Sequence, residues 1–147
     1  MSEKPLVVKV KLLSPFGRIP ISARKGDAAF DLFSAEEYEL KPGERHAIST
    51  GIAIEIPEGY EGQVRPRSGL AIKHGITVLN GPGTIDSGFR GEVRSIMINH
   101  GEESFRIEIG MRIAQLAIRR VPDVIFEQSQ RLESSDRGKG GFGSTGL

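Results

Sequence analysis

The sequence predicts an all-β domain, a sandwich, jelly roll or barrel, with one short helix and a glycine-rich C-terminal arm. Three observations predict it. Short apolar runs with partial alternation recur at close spacing, cut by turn residues. Only one segment carries both a start and a stop signal for a helix. The composition breaks near Arg131, beyond which almost nothing apolar is left to bury.

The elements follow in chain order. Val7–Leu12 partly alternates apolar and polar residues, as a half-buried strand does. Tyr38-Glu39-Leu40 runs into the Lys41-Pro42-Gly43-Glu44 turn. Ile52–Ile56 reads as a strand that Pro57-Glu58-Gly59 turns into Tyr60–Arg65. Ser68–His74 is the helix, with Ser68 as a candidate N-cap and Gly75 as its stop. Val93–Asn99 and Phe105–Ile109 read as a hairpin around His100–Glu103. Arg112–Arg120 does not separate helix from strand by period. Gly110 before it, Pro122 after it and its neighbours favour a strand. Residues 1–130 then form the body and 131–147 the arm.

Bulk properties exclude several classes of function. The 147 residues suit one domain with a real core. Twenty Lys+Arg against 19 Asp+Glu give a formal charge of +1, so no global field attracts nucleic acid or an anionic membrane. Cysteine is absent, which excludes disulfides, thiolate nucleophiles and zinc–sulfur sites. The first ten residues lack the apolar core of a signal peptide, and no run approaches the ~20 apolar residues that span a bilayer. A cytoplasmic protein is expected. His46, His74 and His100 have no ligand spacing and receive no role.

Five segments carry chemistry. The tail, Arg137–Gly146, sets two cations, two hydroxyls and one Phe among glycines. Consecutive N–H groups can converge there on an anion, Arg137 offers a planar fork, and Ser144 and Thr145 add hydroxyls. Phe142 has no core to join, and a nucleobase face would suit it. A flexible, solvated tail is the plainer alternative. In Arg65–Ala71 a strand end meets a helix start, where N–H groups, Arg67 and Ser68 can hold an anion. Leu79–Val93 contains Gly81-Pro82-Gly83, which fits a tight hairpin with a base-pairing edge. Asn80 there both donates and accepts, and Asp86 is a carboxylate able to deprotonate water. Gly26–Leu32 offers Asp27 and Asp31, oxygen ligands suited to Mg²⁺. Arg112–Leu116 places Gln115 inside an apolar run.

Together these pieces, DAAFDLFSA, PRSGLA, NGPGTIDSGFRGEV, RIAQL and RGKGGFGSTG in that order, resemble the trimeric dUTP diphosphatase (dUTPase) family. The resemblance runs from residue 27 to residue 146. It implies a distorted, jelly-roll-like β-barrel with a flexible arm. It implies a homotrimer with shared active sites that hydrolyses dUTP to dUMP and pyrophosphate with Mg²⁺. Such an enzyme keeps uracil out of DNA and supplies dUMP for thymidylate, with no stable nucleic-acid binding and no membrane attachment. By resemblance Asp86 is the general base for water attack on the α-phosphorus. Asp31 holds the water shell of a Mg²⁺ otherwise bound by substrate phosphates. Arg67, Ser68, Gly69 and Gln115 contact phosphates. Asn80, Gly83, Thr84, Ile85 and Asp86 form the uracil and deoxyribose pocket, with Arg94 a more distant carry-over. Arg137, Phe142, Gly143, Ser144 and Thr145 close over the ligand, Phe142 on the uracil.

Two positions depart from the family pattern. Phe89 stands where Tyr is usual, keeping the ring that packs on deoxyribose but losing its hydroxyl. Phe30 also replaces a common Tyr. Two rival readings stay in view. A dCTP deaminase shares the fold but needs a Glu base beyond Asp86, where His100–Glu103 reads as a turn. A nucleotide-binding module without catalysis is the other, against which intact Asp31 and Asp86 argue.

Overall fold

The computed structural model describes residues 4–146. Met1–Glu3 and Leu147, the outermost residues of the expected body and arm, lie outside the described residues. Two four-stranded antiparallel sheets face each other across one core in a jelly-roll-like β fold. The first has the order β1 (Lys9–Leu12), β4 (Arg45–Glu55), β8 (Glu92–Asn99), β6 (Ile76–Val78). The second has the order β2 (Phe30–Phe33), β10 (Arg112–Arg120), β5 (Tyr60–Arg65), β7 (Gly83–Ile85). A small pair, β3 (Tyr38–Leu40) and β9 (Phe105–Ile107), completes it. Among the described residues the one helix is α1 (Ser68–His74), and none is long and apolar enough to cross a membrane.

Alternation places the core. In β8, Val93, Ser95, Met97 and Asn99 point inward while Arg94, Ile96 and Ile98 point outward. In β5, Gly62 and Val64 point inward and Gln63 and Arg65 outward. Ile48, Ile52, Ile76, Ile107 and Ile113 are fully buried, each contributing roughly 2 kcal/mol of transfer free energy. Arg112–Arg120 is a strand because it pairs on both sides, with β2 and with β5.

Three local expectations are corrected. Residues 93–99 and 105–107 are strands but not a hairpin: β8 pairs with β4 and β6, and β9 pairs with β3. Buried Asn99 is the physical reason. Its amide donates to the carbonyls of Leu40 (2.9 Å) and Glu103 (2.8 Å) and accepts from the Gly101 N–H (2.8 Å), so the loop is tied to β3 instead. The Gly81-Pro82-Gly83 turn likewise joins unpaired strands. It carries the chain from β6 in one sheet to β7 in the other, through a cis Gly81–Pro82 bond. Ser68 is the first helical residue and not the cap. Arg67 is the cap, with no side-chain capping bond, while Gly75 ends the helix at φ +69° as expected.

β4 bulges between Ser49 and Ala53, where Gly51 turns to φ +68°. The Glu92 carboxylate fills the bulge, accepting from the Ser49 hydroxyl and, at 3.0 Å, from the Gly51 N–H. Regular structure ends at Arg120, and residues 121–139 are all exposed.

Candidate active site

Asp31, Gln115 and Arg65 form one cross-strand row: Asp31 is the register partner of Gln115, and Gln115 of Arg65. Directly opposed residues on antiparallel strands project from the same face. All three line a cleft of about 300 Å³ with Ala23 and residues 27–29. Asp31 is only 9% exposed, and its two oxygens lie 3.8 Å from Arg67 Nε and 3.7 Å from Arg112 Nη1. Arg67 Nη1 donates to the Arg112 carbonyl at 3.1 Å. Its Nε is buried with no hydrogen-bond partner. An unmet buried donor costs roughly 1–3 kcal/mol, and more when it is charged, and the Asp31 carboxylate 3.8 Å away offsets part of that cost. Ser68 and Gly69 follow at once, exposed, at the end of α1 whose first N–H groups have no intrahelical acceptor. A side chain on Gly69 would meet nothing within 4 Å.

A second cleft, of about 320 Å³, is lined by Thr84, Ile85, Asp86 and Phe89 with Ala47, Glu92, Val93, Arg94 and Ile96. Buried Ile85 anchors β7 and leaves Asp86 exposed at its end. The Phe89 N–H donates to the Asp86 carbonyl at 3.0 Å, closing the turn between them. Among the described residues the Asp86 carboxylate itself has no hydrogen bond or ion pair, unlike an ordinary turn aspartate. Arg94 is engaged locally, 2.7 Å from Glu92 and donating to the Ala47 carbonyl at 3.2 Å. Asn80 lies against Gly83: a Cβ there would stand 3.4 Å from the Asn80 amide nitrogen.

The two clefts are far apart in one chain. On β5, Val64 pairs with Gly83 and Gly62 with Ile85, so Asp86 lies level with Glu61. Strand geometry puts that level about 13 Å along the sheet from the Asp31 row and about 14 Å across it from Asp31. The arm joins neither cleft. Arg137 Nε donates to the Gly140 carbonyl at 2.8 Å, the Ser144 N–H to the Gly141 carbonyl at 3.1 Å, and the Phe142 ring is fully exposed at φ +51°. Gly143 is in the left-handed region, at φ +81°, and Thr145 is exposed.

Sequence reasoning gave no role to two arginines near Asp31: Arg65, which lines its cleft, and Arg112, which approaches its carboxylate. The signal for Arg65 was present, since alternation in β5 sets it on the outward face with Gln63, whose side-chain oxygen accepts from its Nη2 at 2.6 Å.

The chain is similar to known proteins over nearly its whole length. A sequence profile described as dUTPase matches residues 17–146. The deoxyuridine 5'-triphosphate nucleotidohydrolase of Clostridium acetobutylicum is 56% identical over 140 residues, covering 95% of this chain and 97% of its own. The Staphylococcus bacteriophage 80alpha dUTPase, solved with dUPNHPP, superposes with a TM-score of 0.88 at 35% identity, over 96% of this chain and 99% of its own. A mutant dUTPase of S. aureus phage phi11, described with a structural Mg(II) ion, gives 0.81 at 29% identity, over 87% and 99%. The chain belongs to the dUTPase family.

Proposed function

We propose that this enzyme, a dUTP diphosphatase, binds dUTP with its phosphates on the Asp31–Gln115–Arg65 row and its nucleoside at the β7 turn, releasing dUMP and pyrophosphate. The observation that carries this reading is the Asp31 row, which sets Asp31, Gln115 and Arg65 side by side with Arg67 and Arg112 against the Asp31 carboxylate. A polyphosphate supplies acceptors for the guanidinium groups gathered there, for the Gln115 amide and for the leading N–H groups of Ser68 and Gly69.

In the reaction a water attacks the α-phosphorus and passes a proton to Asp86. The bond between the α-phosphorus and the bridging oxygen breaks, and pyrophosphate leaves. Asp86 suits the base role because its carboxylate is exposed and uncommitted. Catalysis is otherwise alignment and charge neutralisation, the tasks of Arg67, Gln115 and the arm. Asn80 and the backbone from Gly83 to Ile85 read the uracil edge, and Phe89 packs on the deoxyribose. Arg94 stands further off.

Mg²⁺ fits the residues present. No group of three or more His, Asp or Glu among the described residues is placed to hold an ion. Asp27 and Asp31 both line the cleft and offer carboxylate oxygens, so Asp31 would hold a hydrated ion that arrives with the triphosphate, the usual arrangement for this hard cation. When bound, the ion would stabilise the charge that develops on the leaving pyrophosphate.

The reading includes a homotrimer with shared sites. Two observations support it. The Asp31 row and Asp86 stand too far apart in one chain for a single triphosphate to reach both. The segment after β10 exposes Ile125 (90%) and Phe126 (99%), two adjacent apolar side chains that a neighbouring copy would cover. A groove of about 680 Å³ lined by Leu6, Val8, Val10, Phe30, Leu116 and Ile118 is the matching acceptor on a neighbouring copy. Residues 131–147 are the arm in this reading, closing over the ligand with Arg137, Ser144 and Thr145 on outer phosphates, Gly143 between them, and Phe142 on the base. A cytoplasmic location suits a chain without cysteine.

The deaminase reading is weaker, because Glu102 and Glu103 lie in the Asn99-tied loop beside the end of α1, away from both clefts. A panel of deoxynucleoside and ribonucleoside triphosphates assayed with Mg²⁺ for pyrophosphate and ammonia tests the proposal. Pyrophosphate from dUTP alone is expected. Unchanged dUTP, or ammonia from dCTP, would overturn it.

A further inference from the structure

Gly91 lies two residues after Phe89, and the Phe89 ring rests across it. A Cβ built on Gly91 would stand 2.7 Å from Phe89 Cζ, 3.0 Å from Cε1 and 3.5 Å from Cε2. Contacts that short do not persist, so any side chain at 91 displaces the ring. The backbone does not ask for glycine here, because Gly91 is not among the residues with positive φ. The steric reason for a glycine at this position is the ring.

The turn that carries the ring is tied down independently. The Phe89 N–H donates to the Asp86 carbonyl at 3.0 Å, and Arg90 Nη1 donates to the carbonyls of Ser87 (2.6 Å) and Phe89 (3.1 Å). The ring itself is 45% exposed. The ring occupies the space over Gly91 that a side chain there would fill. Asp86 and Phe89 line the same cleft, so a change in ring direction alters the nucleoside end while leaving the Asp86 backbone in place.

We propose that Gly91 is a positioning residue for sugar discrimination: it seats the Phe89 ring where the ring crowds a 2′-hydroxyl. This rests on the reading of Phe89 as the deoxyribose platform. Gly91→Ala keeps the backbone and swings the ring off its seat. The expected result is a rise in KM for dUTP with kcat little changed, and a loss of about tenfold in the kcat/KM preference for dUTP over UTP. The thermal midpoint stays near that of the parent, because an exposed ring can move without unfolding the sheet.

The experiment measures kcat and KM for dUTP and UTP in the parent, Gly91→Ala, Phe89→Ala and the double variant. The proposal expects the preference to fall in each single variant, and Gly91→Ala to add nothing in the Phe89→Ala background. An unchanged preference in Gly91→Ala overturns it. So does an equal effect of Gly91→Ala with and without the ring, since the glycine then acts through something else. A Gly91→Ala protein that does not fold overturns it too, because the ring alone was to absorb the clash. If Phe89→Ala keeps the parent preference while dUTP is still hydrolysed, the platform reading of Phe89 falls and takes this proposal with it. Failure of dUTP hydrolysis in the parent is the separate failure of the overall assignment.

Discussion

Asp86 and Gln115 stand on the same sheet but in different clefts: Gln115 pairs with Arg65 at one end of β5, and Asp86 lies level with Glu61 at the other. The proposed base and the proposed phosphate ligand, this far apart, act together only if they come from different copies. Mixing two inactive variants tests that. Asp86→Asn is expected to lower turnover at least 100-fold while keeping nucleotide binding, and Gln115→Ala to lower it by weakening phosphate alignment. When the two are unfolded together and refolded as mixed trimers, about a quarter of the sites receive an intact Asp86 and an intact Gln115, and activity returns to about that fraction. Activity that stays at the level of the separate variants would place both groups in one chain.

Asp31 holds a different position, between two guanidinium groups. Replacing it with Asn removes the carboxylate that faces Arg67 and Arg112 and, in the proposed reading, the anchor for a hydrated Mg²⁺. The Mg²⁺ concentration for half-maximal activity is expected to rise about 10- to 100-fold, as when an outer-shell partner of a metal is lost. Excess Mg²⁺ should recover part of the rate. A Mg²⁺ titration curve superimposable on the parent's would remove Asp31 from any metal role.

The sequence showed the elements better than it showed their partners. The helix stop at Gly75 and strand β10 were legible because they depend on local chemistry and on flanking Gly and Pro. The two misread hairpins, 93–109 and the one at Gly81–Gly83, failed for one reason. A turn signal says that the chain reverses, not which strand it meets next. Asn99 decides the first case through bonds to residues 59 positions back and four ahead in the chain. The site divides in the same way. Asp31, Asp86 and Gln115 are proposed from short motifs, whereas Arg65 and Arg112 look like ordinary surface arginines until register and an ion pair bring them to Asp31. That the two halves lie apart depends wholly on register and has no local signature.

Phe126 is the sharpest test of assembly. It is fully exposed in the single chain, inside a segment that belongs to neither sheet. Phe126→Asp leaves the barrel core untouched and places a charge where a neighbour's apolar groove is proposed. Sedimentation is expected to show a shift from trimer toward monomer, with loss of activity and retention of the β-rich circular dichroism spectrum. A Phe126→Asp protein that remains trimeric and active would show that the segment is solvated in solution.

Acid should act on the Tyr38–Glu44 contact. The Glu44 carboxylate accepts from the Lys41 N–H at 3.0 Å and from the Tyr38 hydroxyl at 2.9 Å, and these bonds hold its pKa below the usual carboxylate value, the Lys41 bond first. A carboxylate whose folded pKa is depressed adds stability above its unfolded pKa, and this is lost as pH falls through the folded value. Tyr38→Phe is therefore expected to lower the thermal midpoint near neutral pH and to converge on the parent in strong acid. Parallel curves across that range would mean that the bond contributes nothing. Both side chains are solvent-accessible, so the shift should be small.

The arm offers the last separation of fold from function. Residues 134–146 touch neither cleft in the single chain, and their hydrogen bonds stay within the arm or its immediate neighbours. Ending the chain after Glu133 keeps every strand of the described residues, and it keeps Ile125 and Phe126, the proposed assembly contacts. It removes Arg137, Phe142, Ser144 and Thr145 together. The truncated protein is expected to fold and form trimers with a thermal midpoint near the parent's, yet to turn over dUTP at least about 100-fold more slowly, because the site is neither closed to water nor aligned. Full-length chains with single changes divide the loss. Phe142→Ala should act mainly through KM, since it removes a stacking face. Arg137→Ala should act through kcat as well, since it removes charge that a triphosphate needs in the transition state. A truncated trimer that works at the parent's rate would make the arm dispensable and leave Phe142 without a partner.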